Sequence, residues 1–225
     1  TRTAPVPRRV PTAEVPVLFE STVAAGLLGS LVAATSGGAL YRKASFLLDS
    51  LGTQVLPDHV DVFEDPHVPK GKGSAMFDDE GVRTKARRVV DGGLLEGYFL
   101  SSYSARKLGM KTTGHAGGSQ NLVLTSRRTK AGDTLAAMIR RLHRGLFVTE
   151  MMGQGINGVT GDYSRGAAGF WVEDGAIAFP VQEITIAGNL RQMFKDIAWV
   201  GADAYTSGTR TIGSVLIERM KLAGA

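Results

Sequence analysis

The hydrophobic pattern divides the chain into short apolar blocks separated by glycine-rich turns. Val15 to Phe19 is a compact apolar run that predicts a strand. It leads into STVAAGLLGSLVAA, which is apolar or small at nearly every position. This predicts a helix capped by Ser21 or Thr22 and ended by Gly37 and Gly38. HVDVFED (His59 to Asp65) alternates and predicts a strand, and PKGKGS (Pro69 to Ser74) predicts a flexible loop. RRVVDGGLLEGYFLS (Arg87 to Ser101) predicts a hairpin turning at Asp91-Gly92-Gly93, and NLVLTS and GLFVTEMM predict further strands. Asp133 to His143 predicts a helix N-capped by Asp133 and stopped by Gly145, with an apolar face of Leu135, Met138, Ile139 and Leu142. GFWVEDGAIAFPV (Gly169 to Val181) predicts a second hairpin turning at Glu173-Asp174-Gly175, and GSVLIERMKL a closing strand. Many strands and about three helices define an α+β fold built mainly on antiparallel sheet. The 29 glycines point to a sharply curved or barrel-like sheet. Residues 1–14 carry three of the eight prolines and read as an extended linker before a single domain over 15–225.

Composition narrows the classes. With 225 residues and 43% apolar side chains, the chain can bury a sizeable core. It contains no cysteine, which excludes disulfides, thiolate zinc sites and thiol nucleophiles. No apolar helical run is long enough to span a bilayer, and no signal-peptide pattern opens the chain. The first residue, Thr1, is not an initiator methionine, so the chain reads as a processed protein or a piece of a longer one. The net charge of +5 favours anionic partners. Basic residues cluster at Arg87-Arg88, at Arg127-Arg128-Lys130 and at Arg140-Arg141-His143-Arg144. The last cluster lies off the apolar helix face and reads as solvated. No aromatic interleaving accompanies the charge, so nucleic acid is disfavoured as a partner.

Candidate chemistry is sparse. GQGING (Gly153 to Gly158) matches the dinucleotide spacing, but no helix follows it to face a pyrophosphate, so it reads as a glycine-rich turn. His59 and Asp61 fall on one face of a predicted strand and with His67 offer a candidate metal set. His115, in a glycine-rich loop, is a candidate base without a nucleophile beside it.

Long segments carry a family likeness. Gly145 to Ile197, Phe77 to Leu124 and Gly37 to Gly52 together resemble the C-terminal half of the TldD/TldE peptidase family, and are most like its TldE (PmbA) branch. The family's N-terminal half is absent from this chain. In TldD the segment after the first strand carries a His-Glu-x-x-x-His motif that holds zinc, with a further Cys ligand downstream. Laid on this chain, those positions are Glu20, Ser21, Ala25 and Ala167, and none keeps its ligand type. The resemblance therefore implies no catalytic residue and no metal in this chain, with zinc held by a TldD-like partner. Two donors five residues apart stand roughly 140° apart on a regular helix. A conserved site geometry would therefore demand an irregular first turn over Ser21 to Gly26.

The resemblance further implies a heteromeric, ATP-independent cytoplasmic metalloprotease that processes peptides or unfolded proteins, under the older label of modulator of DNA gyrase. This chain would be inactive without its TldD partner and would pair with itself in isolation. It would receive the peptide substrate by strand addition. Gly114, His115, Gly117 and Gly118, with Gly153, Gly155, Gly158 and Gly161, are the candidates for close approach of a peptide backbone. Two alternatives remain. One is an independently active metallopeptidase using the His59 set; the other is a DNA- or gyrase-binding protein acting through its basic patches.

Overall fold

The computed structural model describes residues 7–224. Strand β1 (Ala13–Phe19) runs into helix α1 (Ser21–Ala34), followed by the short α2 (Gly37–Tyr41). Then come β2 (Val60–Asp65), β3 (Arg87–Asp91), β4 (Leu94–Leu95), α3 (Ser102–Lys107) and β5 (Asn121–Ser126). Helix α4 (Leu135–Leu142) precedes the long strands β6 (Gly145–Met152), β7 (Asp162–Glu173) and β8 (Ala176–Asn189). The chain continues through α5 (Leu190–Lys195), β9 (Ile197–Val200), β10 (Tyr205–Ser207), β11 (Arg210–Ile212) and β12 (Val215–Ala223).

The strands form two sheets. In the first, β1, β6, β7, β8 and β12 follow one another, and β12 pairs back onto β1. This closes a five-stranded barrel, with β9 sharing the other edge of β12 with β8. Pairing is antiparallel except between β1 and β6. The register of β1 slips between Val15 and Val17, around Pro16, which has no N–H to give to the ladder. The second sheet runs β10-β11-β5-β2-β3-β4. The expected α+β fold on a curved, mainly antiparallel sheet is therefore found, and its curvature goes as far as closure.

Alternation along β1 and β6 divides the packing. Val17, Phe19, Leu146 and Val148 enter the main core, whereas Leu18 and Phe147 meet Met138 and Leu142 of α4 on the other face. Helix α1 packs against β6 of the barrel and against β10 and β11 of the second sheet. Its Leu27, Leu28 and Leu31 are buried. Both hairpin turns fall where the sequence places them, at Gly92-Gly93 and Asp174-Gly175, with positive φ at all four residues.

Several boundaries differ from the sequence reading. The N-cap of α1 is Glu20, whose carboxylate accepts the Thr22 N–H, and the helix ends at Thr35. Gly37 and Gly38 open α2 instead of stopping α1. Thr134, not Asp133, caps α4. Asp133 is used elsewhere, accepting from the Lys130 N–H and from Arg141 at 2.8 Å each. His143, with φ 58°, ends that helix, and Gly145 already belongs to β6. In the stretch read as a linker, residues 1–6 lie outside the described residues. Within 7–12, Val10 is buried and the Arg8 N–H donates to Pro180 O at 3.0 Å.

Candidate functional site

The small residues of α1 acquire a purpose in the fold. Gly26, Gly29, Ser30 and Ala33 recur at helical spacing and share one face, opposite the buried leucines. They floor an open groove of about 560 Å³. One wall is the loop after β6, through Ile156 and Gly158; Arg42, just past α2, and Arg210 of β11 complete it. A second groove, of about 350 Å³, begins at Ser36 on the far end of the same helix region. It runs past Tyr41 and Tyr103 to His115, Gly117 and Gly118. Ser36 lines both, so the two grooves meet there.

The candidate glycines divide between these grooves. Gly158 lines the first; Gly117, Gly118 and His115 line the second. Gly153 is exposed in the loop, with φ 75°. Gly155, Gly161 and Gly114 serve the backbone: a side chain on Gly155 would run into the Ser164 carbonyl, and Gly161 and Gly114 hold positive φ values of 83° and 74°.

His115 is not poised as an exposed base. Its Nε2 lies 2.8 Å from Glu64 Oε2 and its Nδ1 2.8 Å from the Thr113 hydroxyl. Glu64 also accepts from Arg87 Nε at 2.8 Å and from the Gln120 N–H at 2.7 Å. Burial pushes the Glu64 carboxyl up, but the hydrogen bond from His115 and the charge of Arg87 outweigh it and hold it below the ordinary value. This network fastens the loop 113–120 to β2 and β3. Sequence reasoning found His115 as a candidate and Arg87 only as part of a basic cluster, and missed Glu64, because the pairing spans two strands and a loop.

The four positions that the resemblance sets against the TldD metal ligands carry no converging donors here. Glu20 spends both carboxylate oxygens on the first turn of α1, receiving the Ser21 hydroxyl and the Thr22 N–H and hydroxyl. Ala25 is 6% exposed, and Ala167, between Met151 of β6 and Ile184 of β8, is wholly buried. The turn expected to be irregular is a regular α-helix from Ser21 onward; the departure lies one residue earlier, at the extended Glu20. These four residues do not fit a zinc ion, which needs converging imidazole, thiolate or carboxylate donors.

The His59 set does not assemble either. His59 Nδ1 lies 2.9 Å from the Ser126 hydroxyl, Asp61 accepts from Arg127 and the Gly92 N–H, and His67 lies beside Thr84. Among the described residues, no three His, Asp or Glu side chains are grouped to hold a metal ion.

The basic clusters are partly neutralised. Arg127 pairs with Asp61 and Asp91, Arg128 with Asp58, and Arg141 with Asp133. Arg42 and Arg210 belong to no ion pair among the described residues. Sequence reasoning passed over both. The available signal was that Arg210 is the sole charge between Asp203 and Glu218.

Residues 12–224 match the family model described as the PmbA/TldA metallopeptidase C-terminal domain, and the chain belongs to that family. It is 52% identical over 218 residues to the metalloprotease PmbA of Escherichia coli O157:H7, covering 97% of this chain and 48% of that protein. It is similar in structure to a candidate modulator of DNA gyrase from Bacteroides thetaiotaomicron, with TM-score 0.90 and 30% identity, covering 97% of this chain and 49% of that one. It is also similar to TldE from Thermococcus kodakarensis, with TM-score 0.80 and 25% identity, covering 97% and 52%. The chain thus spans about half the length of the relatives it matches. Among the described residues no helix is long and apolar enough to cross a membrane.

Proposed function

We propose that this chain is the C-terminal half of a TldE-type subunit that is non-catalytic by itself and pairs with a TldD-like subunit in a peptide-processing metalloprotease. Zinc and the cutting chemistry belong to the partner. The observation that carries this reading is the state of the ligand positions: Ala25 and Ala167 are closed into the core, and Glu20 is committed to capping α1. The part left to this chain is reception of the substrate. The two grooves that meet at Ser36 give an extended peptide a path over small residues. In the barrel β1 is flanked by β12 and, over Val17 to Phe19, by β6. The second sheet ends in β10, which is exposed along its whole length and packs beside α1. An unfolded segment adding to that edge would gain main-chain hydrogen bonds with little demand on sequence. The similarity of the two subunits makes a pseudo-twofold contact natural, and in isolation a homodimer through the same surface.

The test is co-purification of the intact protein with the TldD-like subunit of its own organism, followed by peptide cleavage and zinc analysis of each subunit alone and together. Association, cleavage by the pair and no stoichiometric zinc in this subunit are expected. Cleavage by this subunit alone, or a subunit that ignores its partner, would overturn the proposal.

A further inference from the structure

Arg210 is the one arginine of the first groove whose buried nitrogen has nothing to bond. Its backbone is fixed between Ser207 of β10 and Leu122 of β5. Its guanidinium lies on α1 at Gly29, so close that a Cβ on that glycine would come within 2.9 Å of Nη1. Its Nε is shielded from water and has no hydrogen-bond partner among the described residues. Among the described residues no carboxylate lines the groove, and the other cation there, Arg42, is exposed, with the Tyr41 hydroxyl (3.3 Å) and ring beside it. A guanidinium stays charged at every physiological pH, and half-burying it without a counter-charge is unfavourable. By contrast Arg87 of β3 and Arg127, just past β5, each have a carboxylate at 2.8 Å.

We infer that this groove binds the C-terminal carboxylate of a peptide, with Arg210 receiving it and Arg42 adding a second positive charge. The inference rests on the reading that the chain handles peptides, and it names the part of the peptide recognised here. The floor decides for a chain end over an acidic side chain. Gly26, Gly29, Ser30 and Ala33 carry nothing larger than a hydroxymethyl group, so a peptide backbone can lie directly on the helix. A terminal carboxylate stands on that backbone with no spacer, at the level where Gly29 lets the guanidinium lie. The planar fork of arginine matches a carboxylate with two parallel hydrogen bonds.

The experiment measures binding of a fluorescent unfolded peptide to the intact natural protein without its TldD-like partner, by anisotropy. Three probes are compared: a free C-terminal acid, the same peptide amidated, and an amidated peptide with an internal aspartate. Amidation should weaken binding about tenfold or more, the scale of a lost charge-assisted bond, and the internal aspartate should not restore it. Arg210→Met should weaken the free acid by a similar factor and abolish its advantage over the amide. Gly29→Ala keeps the charge and improves helix propensity, yet its new methyl displaces the guanidinium, so it too should reduce the advantage of the free acid. Equal binding of acid and amide, no binding of either, full rescue by the internal aspartate, or an Arg210→Met protein that still prefers the acid would each overturn the inference. The readout is binding by this subunit alone. A failure here leaves cleavage by the assembled pair untouched, whereas failure of the proposed function appears as a pair that does not form or does not cut.

Discussion

His115 Nε2 and Glu64 Oε2 stand 2.8 Å apart, and neither side chain reaches solvent. With Arg87 on the same carboxylate oxygen, this pair holds the loop 113–120 against the second sheet. Replacing Glu64 by Gln leaves Arg87 and His115 facing a neutral amide, and removal of one partner from a buried charged cluster costs about 3–5 kcal/mol. Urea unfolding at neutral pH should show that loss. The pH dependence follows from the lowered titration of Glu64. A carboxylate whose folded value is depressed contributes its full stabilisation above its unfolded titration, about pH 4–5, and loses it as the pH falls through the folded value. The gap between parent and Glu64→Gln should therefore be constant near neutrality and shrink in acid. A gap that widens in acid would contradict the arrangement.

Gly93 and Gly52 both have positive φ, 78° and 73°, but different surroundings. A Cβ on Gly93 would lie 2.1 Å from the Leu56 carbonyl oxygen, whereas one on Gly52 meets open space. Gly52→Ala should cost only the left-handed backbone penalty, about 1–2 kcal/mol. Gly93→Ala adds a backbone clash inside the β3–β4 turn and should cost about 3 kcal/mol or more. Thermal unfolding of the two variants side by side checks the order.

Arg141 lies 3.6 Å above the Trp199 ring and bonds Asp133 at 2.8 Å, while its neighbour Arg140 is exposed and outside every ion pair among the described residues. The Arg141 side chain is about a third exposed, so screening limits its ion pair. Arg141→Ala should lower stability by about 1–2 kcal/mol, and Arg140→Ala by less than about 0.5 kcal/mol. Chemical denaturation of each variant separates them.

Restoring the donors of the TldD pattern gives Glu20→His, Ser21→Glu, Ala25→His and Ala167→Cys. Ala25 and Ala167 have no room: they are 6% and 0% exposed within the main core. Larger side chains there overpack the interior at about 1–3 kcal/mol each. The variant should be less stable than the parent and gain little zinc affinity, as read by zinc titration together with thermal unfolding. Tight zinc binding in a folded variant would show that the pocket persists and needs only its ligands.

The apolar strands β1, β2, β5, β6 and β12 were legible because their signals are local, whereas the short β9, β10 and β11 and the outer halves of β7 and β8 were not. The β5 and β6 boundaries match the apolar runs residue for residue, and both hairpin turns carry their glycines. The helix ends were not, because capping was decided by competition. Asp133 is a better N-cap by residue type, but Arg141 and the Lys130 N–H take its carboxylate and leave the role to Thr134. The groove was half legible. Its glycines stood out as composition, but Arg42 and Arg210 lie 168 positions apart, and each becomes notable only once its neighbours are known to carry no acid. Of the basic residues that dominated the charge pattern, Arg87, Arg88, Arg127, Arg128 and Arg141 proved to be paired with acids, whereas Arg140 stayed outside every ion pair among the described residues.

The pairing of β1 with β12 also has a consequence in time. Ala13 meets Leu222 and Phe19 meets Val215, so the ring is sealed by contacts between segments some two hundred residues apart. During synthesis β12 emerges some two hundred residues after β1 and only then can be met. Until then β1 can pair only with β6, over three residues, and one side of it stays bare. Contacts of such sequence separation fold slowly, because the intervening chain must be ordered first. The final closure of this barrel therefore waits for the emergence of β12, and a ribosome that stalls before it leaves an open strand ready to pair with any other chain.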